Sequence, residues 1–131
     1  MAKLILTALT LLLSATTTLA QNSFREYHGH ATYYDPSVGK GSCGALHNNT
    51  EFIVAVNADQ MTPNKCNRQV WITNVGGGDA GKNHGVGNSV VATVTDTCLK
   101  CGKGSLDLSQ SLAEVLHGPE LEMDGGFEIA W

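Results

Sequence analysis

The chain has 131 residues, and its eight basic and twelve acidic side chains give a net charge of −4 at neutral pH. No cluster of Lys and Arg occurs along it, which argues against nucleic acid and anionic membranes as partners, because phosphate binding needs grouped cations.

The first twenty residues have the pattern of a secretory signal peptide. Lys3 precedes an apolar run from Leu4 to Leu13, and Thr18-Leu19-Ala20 supplies the small-x-small pattern for cleavage. A membrane anchor is the alternative, but the run is short for crossing a bilayer. Cleavage after Ala20 leaves residues 21–131, a single extracellular domain of 111 residues that has lost Lys3 and carries a net charge of −5.

Short strands between Gly- and Asn-rich turns dominate the remaining sequence. Strands are predicted at residues 30–34, 52–56, 69–73, 89–96 and 127–131 from β-rich or alternating patterns. One helix is predicted after Ser109 as N-cap, with Leu112, Val115 and Leu116 at helical spacing and an end at Gly118-Pro119. This pattern predicts a mainly β domain, either a small closed barrel or a sandwich.

Four cysteines in a small secreted domain indicate two disulfides, and three pairings are possible. A zinc site needs four ligands at fixed spacing, but there is one C-x-x-C pair and the five histidines supply no matching pair. We therefore predict no metal and no cofactor. Asn48-Asn49-Thr50 fits the N-glycosylation pattern, with Asn48 as the acceptor in a surface loop.

Asp96 is the carboxylate with the clearest chemical potential. It ends the strand 89–96, and partial shielding from water at a barrel mouth would suit it to donate a proton. The alternative, which the isolated residue favours, is that it caps the turn into Thr97-Cys98. Asp107 is expected to support the turn before the helix, and Asp35 is expected in a turn because it precedes Pro36.

The order of motifs along the chain is more specific than any single residue. It resembles the double-psi β-barrel superfamily, which includes rare lipoprotein A-like domains, barwin, the first domain of expansins and the family-45 endoglucanases. In character the chain is most similar to short secreted fungal forms, the expansin-related loosenins. The motifs that carry the resemblance are Gly29–Tyr34, Gly41–Gly44, Ile53–Asn57, Cys66–Val70, Val94–Cys101, Leu106–Ser109 and Gly126–Trp131.

This resemblance implies a six-stranded barrel with a shallow groove across it. Asp96 matches the general-acid aspartate of the superfamily, and Thr32 and Tyr34 match positions that line the expansin groove. Trp71 falls near a position where expansins tend to have an aromatic residue. By comparison with barwin, the implied disulfides are Cys43–Cys66 and Cys98–Cys101.

Three functions follow from the resemblance. The first is a monomeric expansin- or loosenin-like protein that binds cell-wall polysaccharide, cellulose or chitin, and loosens it without hydrolysis. The second is a weak endoglucanase or lytic transglycosylase, in which Asp35 would have to act as the base beside Asp96. The third is a protein-binding module, such as a secreted protease inhibitor or an effector-like protein, because one barrel can host several activities.

Overall fold

A computed structural model describes residues 25–131, which form a closed barrel of six strands with two short helices. The predicted signal peptide lies outside these residues. The strands are β1 (His28–Tyr34), β2 (Ile53–Asn57), β3 (Gln69–Gly76), β4 (Ser89–Cys98), β5 (Leu106–Ser109) and β6 (Phe127–Ala130). The helices are α1 (Gln110–His117) and α2 (Leu121–Asp124), and 3-10 turns occur at Pro36–Val38 and Pro63–Lys65.

The strand order around the barrel is β1-β5-β2-β4-β3-β6. The pairs β1–β5 and β2–β4 are parallel, and the other four pairs are antiparallel. Both parallel pairs join strands that are distant in the sequence, so the chain crosses over the barrel twice. The predicted six-stranded barrel with one or two short helices is therefore confirmed. Within residues 25–131 no helix is long and apolar enough to cross a membrane.

Alternate residues along the strands point inward and fill the barrel with apolar side chains. Helix α1 adds Leu112 and Leu116 to the same core. Val115, which the helical spacing assigned to the apolar face, is instead 48% exposed. Ser109 precedes α1 as predicted, but its side chain does not cap the helix. Its hydroxyl donates to the carbonyl oxygen of Glu51 at 2.6 Å and so ties the start of α1 to the segment before β2.

Strand β5 is the one strand that the sequence patterns did not predict, and helix α2 was not predicted from them either. Its four residues, Leu106–Ser109, run directly into α1, so they resemble an approach to a helix rather than a separate strand. The strand nevertheless pairs with β1 on one side and with β2 on the other. The expectation that Asp107 supports a turn is therefore wrong, because this residue lies within a paired strand.

The glycine-rich segment between β3 and β4 packs against α1. The side chain of Asn74 donates to the carbonyl oxygens of His84 at 2.9 Å and Leu116 at 3.1 Å. Gly85 approaches α1 so closely that an added Cβ would lie 2.1 Å from the Leu116 oxygen, and its φ of +68° also favours glycine. This packing places His84 beside the carboxyl end of α1.

Candidate functional site

A groove with a volume of about 570 Å³ crosses the outer surface of four neighbouring strands, β1, β5, β2 and β4. Strand register sets a row of residues across its floor. Thr32 pairs with Asp107, Asp107 pairs with Ala55, and Ala55 pairs with Asp96. The row therefore carries two aspartates, with one small side chain between them.

Strand β1 supplies one side of the groove through simple alternation. Ala31 and Tyr33 pack into or against the core, whereas His30, Thr32 and Tyr34 point outward and line the groove. The predicted groove positions Thr32 and Tyr34 thus lie with Asp96 in one depression.

Asp96 reaches the groove because β4 contains a β-bulge. Val54 pairs with Val94 and Ala55 pairs with Asp96, so Thr95 has no opposite residue on β2. A regular pleat would place Asp96 on the same inward face as Ala92 and Val94, and the extra residue changes that alternation. Thr95 is consequently buried, whereas Asp96 is half-buried and lines the groove.

One carboxylate oxygen of Asp96 is held by the backbone. Its Oδ1 accepts hydrogen bonds from the N–H groups of Ser42 and Thr97, both at 2.7 Å. Within residues 25–131 no donor bonds Oδ2. The two interpretations of Asp96 are therefore compatible, because one oxygen stabilises the local loop while the residue also lines the groove.

Asp107 is the groove residue that the sequence analysis assigned to another role. Thr32 Oγ1 donates to Asp107 Oδ1 at 2.8 Å. Burial is the main effect and raises the pKa of Asp107. The Thr32 bond opposes it, while the negative charge of Asp96 adds a smaller rise and Lys100 a still smaller lowering. Asp107 therefore keeps its proton to a higher pH than an ordinary aspartate. The alternation in Leu106-Asp107-Leu108 was the signal that could have identified the strand and its outward carboxylate.

Tyr34 lies beside both aspartates. Burial raises the pKa of Tyr34 to about 12, and the negative charges of Asp96 and Asp107 act in the same direction. The phenol consequently remains neutral across the physiological range and can both donate and accept a hydrogen bond in the groove.

The two disulfides brace the walls of the groove. The long disulfide, Cys43–Cys66, closes a separation of 23 residues, and the short disulfide, Cys98–Cys101, closes a separation of three. This is the pairing that the resemblance to barwin implies. The Cys43 N–H donates to the carbonyl oxygen of Thr95 at 3.2 Å, which holds the loop containing Ser42 against the bulge. The short disulfide encloses Leu99 and Lys100, and both of these residues line the groove.

Two residues proposed from sequence are not among those that line the groove. Asp35 is exposed at the start of the first 3-10 turn, where its Oδ1 accepts bonds from the Ser37 N–H at 2.9 Å and hydroxyl at 2.6 Å. These bonds lower the pKa of Asp35. Trp71 is 63% exposed and lines a second depression with Tyr27, Val70 and Trp131.

Asn48 lies in an exposed loop, as its proposed glycosylation requires. Its side-chain oxygen accepts bonds from the Thr50 hydroxyl at 2.8 Å and the Thr50 N–H at 3.1 Å. Among residues 25–131, one group of side chains has the composition of a metal site: His84, His117 and Asp124, which lie outside the groove.

A closed six-stranded barrel with two parallel strand pairs and an outer groove fits the double-psi β-barrel fold. No protein-family profile matches the sequence. No curated protein is significantly similar to it in sequence. Its similarity to known proteins is therefore found in solved structures.

The apo expansin of Clavibacter michiganensis superposes with a TM-score of 0.61 and 24% identity, over 81% of this chain and 48% of that one. A mutant of the same expansin in complex with cellohexaose superposes with a TM-score of 0.61 and 23% identity, over 81% of this chain and 48% of that one. The Streptomyces papain inhibitor superposes with a TM-score of 0.60 and 24% identity, over 81% of this chain and 93% of that one. The chain thus spans about half the length of the expansin and most of the inhibitor. At this level of identity, the similarity establishes the shared fold.

Proposed function

We propose that this protein is a secreted, monomeric, loosenin-type relative of expansins that binds cell-wall polysaccharide and loosens it without hydrolysis. The observation that carries the proposal is the cross-strand row of Thr32, Asp107, Ala55 and Asp96, which lies in an open groove. The structural similarity to an expansin that has been crystallised with cellohexaose supports a β-linked glucan as the ligand class.

The spacing of the row suits a sugar ring. Asp107 and Asp96 are two strands apart, so their backbones are separated by roughly 9.5 Å. Ala55 lies between them, and its small side chain leaves room for a ring above the floor of the groove. A chain of linked sugars would then lie across the strands, with a carboxyl group on each side of one ring.

The polar groups of the groove can bond to sugar hydroxyls in complementary ways. The Asp107 carboxyl group can bond a hydroxyl or glycosidic oxygen, and its raised pKa favours the protonated form more than in an ordinary aspartate. Asp96 accepts through Oδ2, since its Oδ1 bonds the backbone. Tyr34 supplies a neutral phenol. Trp71 contributes only where a longer polymer extends to the second depression.

Loosening rather than hydrolysis is supported by the position of Asp35, the base that the sequence suggested. Inverting hydrolysis requires a second carboxylate that holds a water molecule on the opposite side of the ring. Asp35 forms hydrogen bonds to Ser37 and does not line the groove. Bonds from two N–H groups fix one carboxylate oxygen of Asp96 in place, which favours a positioning role for this residue.

Binding and loosening can be tested by pull-down on cellulose and chitin, a fibre-weakening assay and a measurement of reducing sugar. We expect wild-type protein to bind at least one polymer and to weaken fibres without releasing sugar. Asp107→Asn and Asp96→Asn should each reduce weakening, whereas Asp35→Asn should match the wild type. A wild-type protein that binds neither polymer at several pH values would refute the proposal.

A hydrolytic function is the second candidate, and the presence of two aspartates in one groove favours it. In that case Asp107 is the acid and Asp96, rather than Asp35, is the base. The same assays separate the two functions. Release of reducing sugar by the wild type, abolished in both Asp107→Asn and Asp96→Asn, would establish hydrolysis.

Inhibition of a papain-like protease is the third candidate, because the chain matches 93% of the length of the Streptomyces papain inhibitor. An inhibitor acts through exposed loops, so Asp107→Asn should leave it unaffected. Titration of papain with wild-type protein and with this variant tests the idea. Equal, stoichiometric inhibition by both proteins would favour the inhibitor function over polysaccharide binding.

A further inference from the structure

Outside the groove, three potential metal ligands from distant parts of the chain converge. His84 lies in the segment between β3 and β4, His117 is the last residue of α1, and Asp124 is the last residue of α2. His84 Nδ1 is 2.6 Å from Asp124 Oδ2, and His117 Nε2 is 3.5 Å from the same oxygen. One ligand atom from each residue lies within 4.8 Å of the others.

The surroundings of His117 make this more than a chance cluster. Its side chain is 1% exposed, and neither ring nitrogen has a hydrogen-bond partner within residues 25–131. The side chain of Asp124 is 9% exposed. A buried imidazole without a partner costs free energy, and a buried carboxylate needs a positive partner. A cation bound between them would give Nε2 of His117 a partner and would neutralise the carboxylate of Asp124.

We propose that His84, His117 and Asp124 bind a Zn²⁺ ion. Two imidazole nitrogens and one carboxylate oxygen are a donor set that zinc favours, with the fourth position left to water. Hard cations such as Ca²⁺ and Mg²⁺ prefer oxygen ligands only, so they fit this set poorly. The side chain of His84 is 43% exposed, which gives the ion a path from solvent and leaves room for the water ligand.

The two observed distances to Asp124 suit a tetrahedral ion after a small adjustment. Ligand atoms bonded to zinc at about 2.0–2.1 Å lie roughly 3.3 Å apart in a tetrahedron. The 3.5 Å separation between His117 Nε2 and Asp124 Oδ2 is close to this value. The hydrogen bond between His84 and Asp124 must open by less than about 1 Å, and rotation of the partly exposed His84 ring can provide this.

The ion would cross-link the glycine-rich segment between β3 and β4 to the two helices. Tertiary folding alone brings His84 and His117 together, because 33 residues separate them in the sequence. That separation is also why ligand spacing in the sequence predicted no metal. The cluster shares no residue with the groove, so its loss should affect stability more than polysaccharide binding.

Isothermal titration of Zn²⁺ into chelator-treated protein without an added histidine tag tests the proposal. We expect one binding site and a rise in Tm of about 10 °C at zinc concentrations about 100-fold above Kd. His84→Ala should weaken binding by about tenfold or more. It is the first variant to test, because His84 is partly exposed and the protein should still fold. His47→Ala is the matched control, since His47 bonds Glu51 in a different loop.

Two further measurements make the result decisive. Tetrahedral Co²⁺ gives visible absorption bands, which wild type and His47→Ala should show and His84→Ala should lack. Asp124→Asn should also lose the bands, provided that circular dichroism shows a folded protein. Equal zinc affinity in wild type and His84→Ala would overturn the proposal. Absence of zinc binding, or equal responses to Zn²⁺ and Ca²⁺, would overturn it as well.

Discussion

The position of Tyr34 in the groove predicts a specific loss of stability in alkaline solution. The pKa of Tyr34 is raised to about 12 in the folded protein, whereas an exposed tyrosine in the unfolded chain titrates near 10. The folded state therefore holds this proton more tightly. The resulting stability is fully present below about pH 10 and is lost as the pH rises towards about 12.

The size of this effect follows from the shift and from the exposure of the ring. Two pKa units correspond to about 2.7 kcal/mol if they are expressed in full. Tyr34 is only half-buried, so solvent screening reduces the expected contribution to about 1 kcal/mol. Tyr34→Phe removes the titrating group. The free energy of unfolding is compared at about pH 9 and about pH 11.5. Its fall between these pH values should be about 1 kcal/mol smaller in Tyr34→Phe than in the wild type.

Urea unfolding followed by circular dichroism at these two pH values measures the difference. Tyr33→Phe is the matched control, because it removes a phenol from the opposite face of β1. In Asp96→Asn, the loss of a nearby negative charge should lower the pKa of Tyr34 and reduce the alkaline loss. Equal pH dependence in wild type and Tyr34→Phe would show that the phenol is solvated, which would contradict the described groove.

Three other predictions concern the supports of the groove. Thr32→Val should raise the pKa of Asp107 further, because it removes the donated hydrogen bond, whereas Thr32→Ser should keep it. A carboxyl NMR titration measures the difference, and equal titration of both variants would exclude that bond. Gly41→Ala should destabilise the fold by about 1–3 kcal/mol and weaken polymer binding, because its Cβ would lie 2.5 Å from the Thr95 oxygen. Gly39→Ala meets no atom within 4 Å and should behave as wild type in the same urea and pull-down assays. Replacing both cysteines of the long disulfide by serine should lower the free energy of unfolding in urea by about 3 kcal/mol, against about 1.5 kcal/mol for the short disulfide. The longer loop, with a separation of 23 residues rather than three, restricts the unfolded chain more, so equal losses would contradict this reasoning.

Local patterns were sufficient for much of the barrel. Alternation in 89–96 identified most of β4, and the continuous apolar run of 52–56 identified β2 to within one residue. The outward positions of Thr32 and Tyr34 on β1 agree with the resemblance to expansins, because alternation along a strand assigns each residue to a face. These features depend on residues that are adjacent in the sequence.

The composition of the groove depended on contacts between distant residues. Asp107 joins Asp96 only because β5 pairs with both β1 and β2. The bulge at Thr95 changes which face Asp96 occupies, and no local pattern marks it. The cluster of His84, His117 and Asp124 likewise forms when a loop packs against two helices.

The sequence by itself thus determined the mainly β class, five of the six strands and most of the faces of their side chains. Only the tertiary structure decided which second carboxylate enters the groove, how Asp96 is held there, and that Trp71 lines a different depression. The physical reason is that the period of a strand is local, whereas register, bulges and crossovers arise from pairing between segments that are distant in the sequence.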